Sequence, residues 1–206
     1  MYPPKKARQR ILDSARDLFF DRGYGDVSVR NVCERADVRK GSFYHHFETK
    51  HELLMEVVRA RARWIRELTL EAFAGSGPPP RRLADVFGVA ERLFREDGED
   101  GGRRPGGLLC SLALELAPHD EEVREELKKI YGFLVEQVEK VLEETVEKGE
   151  LNGTDPALRA REVLAYFLGT LLMARVEGES DIATKLAEGV SRIAGFGEVE
   201  MGEPRC

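Results

Sequence analysis

Apolar residues recur every three or four positions through most of this chain, and nowhere do they alternate with polar ones over a sustained run. That spacing predicts an all-α protein. Ile11, Leu12, Ala15, Leu18 and Phe19 make the first stripe, within residues 5–22, and Gly23 is placed to stop it. Ser28 is a good N-cap for a second helix that buries Val29, Val32, Cys33 and Ala36. Asp37 and Val38 form a turn, and a third short helix runs over 39–46. Thr49 and Glu52 have the spacing of a capping box that opens a long helix through Ala74.

Residues 75–80, rich in glycine and proline, break the pattern. Helical spacing resumes over 83–94, and 96–107 reads as a charged, glycine-rich loop. A short apolar helix over 108–116 is stopped by Pro118. Val123, Leu127, Ile130, Tyr131, Leu134, Val138, Val141, Leu142 and Val146 form the inner face of a long amphipathic helix that ends at Lys148 and Gly149. Asp155 followed by Pro156 caps the next helix, which reaches Glu177, and the last runs from Ser180 or Asp181 to Ala194. Beyond Gly195 the tail is expected to be disordered. Nine helices result: a three-helix head over 1–50 and a six-helix body over 51–206.

The head carries the chemistry. Two short helices joined by a tight turn are a helix-turn-helix, and the second presents Arg39, Lys40, Gly41, Ser42, Tyr44, His45 and His46. Arg39 and Lys40 suit guanine O6 and N7, Gly41 lets backbone approach a duplex, and Ser42 is short enough for a base or a phosphate. Tyr44, His45 and His46 suit phosphates, sugars or base edges. Lys50 adds charge beside free N–H groups at the start of the next helix. Phe43 and Phe47, four apart, would pin the reading helix inward.

Many of these positions coincide with a known pattern. Ile11-Leu12-x-x-Ala15-x-x-Leu18-Phe19, Gly23-Tyr24, Ser28-Val29-x-x-Val32, the run from Gly41 to Phe47, and Lys50-x-x-Leu53-Leu54 together resemble the TetR family of one-component transcriptional repressors over about residues 5–60. The resemblance implies that Ser28, Tyr44, His46 and Lys50 hold phosphates while Arg39, Lys40, Ser42 and His45 lie nearest the bases. It also implies a body that binds a small inducer and a homodimer formed by the last two helices. Two positions depart from the pattern. Asp37 stands where the family usually has glycine, and aspartate tolerates the left-handed conformation better than most residues. Arg39 replaces a common serine and so alters which bases are read.

Periodicity separately supports an interface in the body: Leu164, Phe167, Leu168, Leu171 and Leu172 cover a broad arc, beside the small Ala165 and Gly169, and Ile182, Leu186, Val190 and Ile193 form a stripe. Two such helices from each copy make a four-helix bundle, although the same stripes would also complete an intrachain core. Candidates for lining a ligand chamber are Trp64, Phe87, Phe94, Cys110, Tyr131 and Phe167, together with Phe73, Phe133 and Met173, each equally suited to plain core. The segment 106–116 also resembles a branch of the family with a Gly-Cys-Leu motif, some members of which sense electrophiles or oxidants. Here Gly107 stands at the cysteine position and Cys110 lies one helical turn later. Cys110 is then either a sensor, its thiol acidified by Arg103 and Arg104, or a buried structural residue.

Composition narrows the alternatives. The 206 residues are 42% apolar and 34% charged, with a net charge of −6. Residues 1–50 hold 11 basic and 7 acidic side chains, the remainder 21 and 31, so a basic head sits on an acidic body. Three widely spaced cysteines form no metal or disulfide framework, the N-terminus is no secretory signal, and the apolar run 163–174 is too short to span a bilayer. A cytoplasmic protein without metal or cofactor is expected. An enzyme lacks support: no nucleophile–base pair is recognisable, and 98–107 lacks the Gly-Lys-Ser/Thr of a phosphate loop. A sequence-neutral DNA binder remains the competing class, and operator DNA with a small inducer the leading pair of partners.

Overall fold

The computed structural model describes residues 6–74, 77–79, 81–83, 107–151, 153, 155–177 and 183–196. Eight helices are defined among them: α1 Ala7–Arg22, α2 Val29–Arg35, α3 Lys40–His46, α4 Lys50–Phe73, α5 Leu108–Leu116, α6 Glu121–Glu147, α7 Pro156–Glu177 and α8 Ala183–Ala194. Residues 81–83 are also helical, and no strand occurs among the described residues. Most of the helix expected over 83–94, all of the loop over 96–107 but Gly107, the start of the last helix and most of the tail lie outside them.

The chain divides into two compact units, one of 1–64 with 107–128 and one of 65–106 with 129–206. The first is larger than the 1–50 head read from the sequence, because it also takes in the start of α4, all of α5 and the start of α6.

In the first unit α1 buries Ile11, Ala15, Leu18, Phe19 and Phe20, α2 buries Val32 and Cys33, and α4 buries Leu53, Leu54, Met55, Val57 and Val58. A charge lies among them. Asp17, 4% exposed, accepts from Arg16 Nε and Nη2 at 3.0 and 2.8 Å and from Arg35 Nη2 at 3.1 Å, which ties α1 to α2. With a carboxylate this enclosed, both its oxygens must be met by donors, and they are.

Helix ends follow a repeated scheme. α2, α6 and α8 all stop in paired bonds of the Schellman type: Val38 N–H to Cys33 O with Asp37 N–H to Glu34 O, Glu150 to Thr145 with Gly149 to Val146, and Phe196 to Ser191 with Gly195 to Arg192. The residue turned left-handed is glycine in α6 and α8, at φ +72° and +90°, but Asp37 in α2, at φ +50°. The turn survives without glycine, as its tolerance for aspartate predicts. At α4 the expected box forms with a shift: Thr49 Oγ1 accepts from Glu52 N–H at 2.9 Å, but the Glu52 carboxylate reaches past the cap to Glu48 N–H at 2.6 Å.

The second unit has its own core of Leu83, Val138, Val141, Leu142, Leu151, Ala160, Val163, Val190 and Ala194. Asp155 Oδ1 accepts from the Ala157 and Leu158 N–H groups at 3.0 and 3.3 Å, so the cap before Pro156 forms as read. α7 and α8 approach closely because Gly189 lacks a side chain: a methyl there would collide with the Tyr166 hydroxyl.

Two stability predictions follow from these contacts. Asp37→Gly relieves the left-handed penalty and raises unfolding free energy by about 0.5–1 kcal/mol, whereas Asp37→Val lowers it, read by urea denaturation. Asp17→Asn leaves Arg16 and Arg35 without their shared anion and costs about 2–3 kcal/mol in the same assay.

Candidate nucleic-acid interface

Seven residues form α3, too few for a helix to persist by itself. It is held from one side. Phe43 and Phe47 are 0% and 1% exposed with ring centroids 5.9 Å apart, and the Arg8 guanidinium lies 5.2 Å from the Phe47 ring centre. Burying two phenylalanines contributes about 2–3 kcal/mol each, enough to fix the rotation of the helix about its axis. The other side then faces outward. Arg39, Lys40, Gly41, Tyr44 and His45 are exposed, Tyr44 at 56%, while Ser42 and His46 are partly so. A Cβ at Gly41 would meet nothing within 4 Å, so the chain's own packing does not require glycine there. Arg39 serves as N-cap in extended conformation, and its carbonyl accepts from Ser42 and Phe43 N–H.

Two residues assigned to phosphates by the resemblance have work inside the chain. Ser28 caps α2: its hydroxyl accepts from Asn31 N–H at 3.2 Å and donates to Asn31 Oδ1 at 2.7 Å. Lys50 donates inward, to the Tyr24 carbonyl at 2.9 Å and the Val27 carbonyl at 2.8 Å, with its ammonium 3.9 Å from the Tyr24 ring centre. Burial pushes the Lys50 pKa down against the pull of Glu115. Burial, then the charges of Asp120 and Glu115, push the Tyr24 hydroxyl up.

The same turn is gripped by a residue the sequence reading passed over. Glu115 on α5 accepts from Tyr24 N–H at 2.9 Å and from Gly25 N–H at 2.7 Å. Its signal was a lone carboxylate in the apolar run of α5. Beside it, His51 Nε2 lies 2.8 Å from Asp120 Oδ2, and Asp120 Oδ1 caps α6 by accepting from Val123 N–H at 3.0 Å.

Comparison with known proteins bears on this arrangement. Residues 11–57 match the bacterial regulatory proteins of the tetR family, and residues 79–190 match the tetracyclin repressor-like C-terminal domain. The chain is 32% identical over 176 residues to the HTH-type transcriptional repressor DhaR of Mycobacterium sp. (strain GP1), covering 82% of this chain and 83% of that protein. The chain belongs to the TetR family.

It is also 28% identical over 181 residues to the transcriptional regulator AcuR of Cereibacter sphaeroides, covering 85% of this chain and 79% of AcuR. A solved regulatory protein TetR from Rhodobacter sphaeroides superposes with a TM-score of 0.79 at 26% identity, over 91% of this chain and 98% of that one. This TetR-family chain is therefore a DNA-binding transcriptional regulator. No helix among the described residues is long and apolar enough to cross a membrane.

The body residues fare unevenly. Trp64, beneath the buried Arg61 with the guanidinium 4.1 Å from its ring centre, and the half-buried Cys110 fall in the first unit, while the half-buried Tyr131 and Phe167 fall in the second. Phe87, Phe94 and Ile182 lie outside the described residues, as do Arg103 and Arg104. Of the stripe read as a dimer face, Leu171, Leu186 and Val190 are 5%, 0% and 0% exposed. These three side chains pack within this chain, as an intrachain core along the same stripe would have them. Leu164 and Leu168 are half-buried and Leu172 is exposed. The open face of α7 instead carries Leu158, Ala165, Gly169, Leu172, Met173 and Val176.

For Asp120, burial pushes the carboxyl up, but the Val123 N–H and the His51 ring outweigh it and hold the pKa below its ordinary 3.8. A depressed carboxylate contributes stability that is present above pH 3.8 and lost as pH falls below it. Asp120→Asn should flatten the acid limb of the stability-against-pH curve below about pH 4 and lower stability at neutral pH. Parallel curves for the two proteins would refute it.

Proposed function

We propose that the chain is a homodimeric repressor that binds a palindromic operator and is released by a small-molecule inducer. The observation that carries this is the outward face of α3, where Arg39, Lys40, Ser42 and His45 would approach base edges while Tyr44 and His46 hold the backbone. The open position at Gly41 supports it, since a glycine that the chain's packing does not need suits close approach to a duplex. DhaR is named a transcriptional repressor, which favours repression over activation.

A second copy is needed because one short helix makes few contacts, and two linked heads gain avidity on a symmetric site. The exposed face of α7 supports the pairing. Leu158, Leu172, Met173 and Val176 are 55%, 46%, 53% and 75% exposed, and Ala165 and Gly169 between them allow two helices to approach closely. Inducer bound to the body would favour a state in which the two heads no longer match the half-site spacing, and so deplete the competent form.

The test pairs light scattering with a gel shift against the region upstream of its own gene. A dimer and a specific complex at moderate salt are expected; uniform binding to any sequence would mark a sequence-neutral binder instead. Arg39→Ala should weaken operator binding by about 1–3 kcal/mol per half-site contact and relax base preference at one position of each half-site. Unchanged preference in a randomised-site selection would remove Arg39 from the reading surface.

A further inference from the structure

Resting on the reading of α3 as the DNA-facing surface, we propose that Glu115 and Lys50 are positioning residues which together clamp the 23–27 turn. On this account DNA affinity depends on the grip that both keep on the turn, Glu115 without touching DNA at all. The turn joins α1 to α2, and its own packing is that of Val27, which is 1% exposed, and of the half-buried Tyr24 ring, 5.4 Å from the Phe19 ring centre. Beyond the bonds of Gly23 N–H to the Phe19 carbonyl and Val27 N–H to the Tyr24 carbonyl, its backbone is held by charge. Glu115 takes two adjacent N–H groups, one on each carboxylate oxygen, at 2.9 and 2.7 Å. Lys50 takes two carbonyls of the same turn, at 2.9 and 2.8 Å, and lies over the Tyr24 ring. An anion from α5 and a cation from α4 thus grip one short peptide from opposite chemical ends, and bonds to ionised partners are the stronger kind.

The turn is shaped for this grip. Gly23 sits at φ +81°, and a Cβ there would come within 3.0 Å of Glu115 Oε2; at Gly25 it would come within 3.4 Å of Oε1. The two glycines leave room for the carboxylate to seat. Immediately after the turn comes Ser28, whose hydroxyl fixes the start of α2, and α2 leads through Asp37 to α3. Where the turn goes, the reading helix follows.

Charge makes the proposal easy to break. Glu115 is a negative side chain in the unit that meets polyanionic DNA, so through-space electrostatics alone predicts that Glu115→Gln binds DNA more tightly. The clamp predicts the opposite sign. The assay is binding of the full-length chain, over a salt series, to a duplex recovered by randomised-site selection on the wild type. Hydrogen exchange is followed in parallel at the Tyr24 and Gly25 amides.

Glu115→Gln should bind about tenfold more weakly, with an unchanged salt slope and faster exchange at those two amides. Lys50→Met should also weaken binding and speed exchange at the same two amides, over and above any loss of slope from a phosphate contact. Wild-type affinity or better in Glu115→Gln, or unchanged exchange at the two amides in Lys50→Met, overturns the clamp. Should the glutamine variant fail to fold, the wild type decides: protected Tyr24 and Gly25 amides support the proposal and unprotected ones overturn it. A wild type that selects no sequence removes the underlying DNA reading, which is distinct from a wild type that binds and a glutamine variant that binds equally well.

Discussion

The rest of the structure depends on the burial of Phe43 and Phe47 along one side of α3. A helix of seven residues has no stability to spare and no preferred rotation until something fixes it. Two fully buried rings 5.9 Å apart, Phe43 within the helix and Phe47 at its C-cap, supply both. Every other side chain of the helix is then assigned by geometry. Lys40, Gly41, Tyr44 and His45 have nowhere to go but outward, and Arg39 joins them from the cap.

Around that apolar seat the unit uses charge where an apolar contact could not specify position. Asp17 joins α1 to α2 through Arg35, and Glu115 and Lys50 hold the connecting turn between the same two helices. Hydrophobic burial is non-directional and would tolerate small slides of a short helix. Carboxylates that accept from particular N–H groups do not tolerate them, and a reading surface must hold its side chains to within a fraction of an ångström. Stability and register are therefore carried by different interactions in the same few elements.

How much of this was legible in the sequence depends on the range of each interaction. Local signals were read well. The proline and aspartate opening α7, the Ser28 cap and the left-handed Asp37 all act within four residues, and each appears where its chemistry placed it. Long-range partners were not. The free N–H groups at the start of α4 and the family resemblance point Lys50 toward a phosphate, and neither signals its bonds to carbonyls more than twenty residues away. Glu115 lies some ninety residues from the turn it holds, and nothing near it in sequence names that turn. The stripe of Leu186 and Val190 shows the same limit in another form. Period tells that a face is apolar, but not whether its partner belongs to the same chain or another.

The central claim is that the outward face of α3 reads base edges in a major groove. Replacing each purine of a selected operator in turn by its 7-deaza analogue removes one acceptor that only the major groove displays. The account predicts that affinity falls at a few positions in each of two symmetric half-sites about one helical turn apart, and nowhere else. Affinity insensitive to every 7-deaza substitution, but lowered when the guanine amino groups of the minor groove are removed, would contradict it.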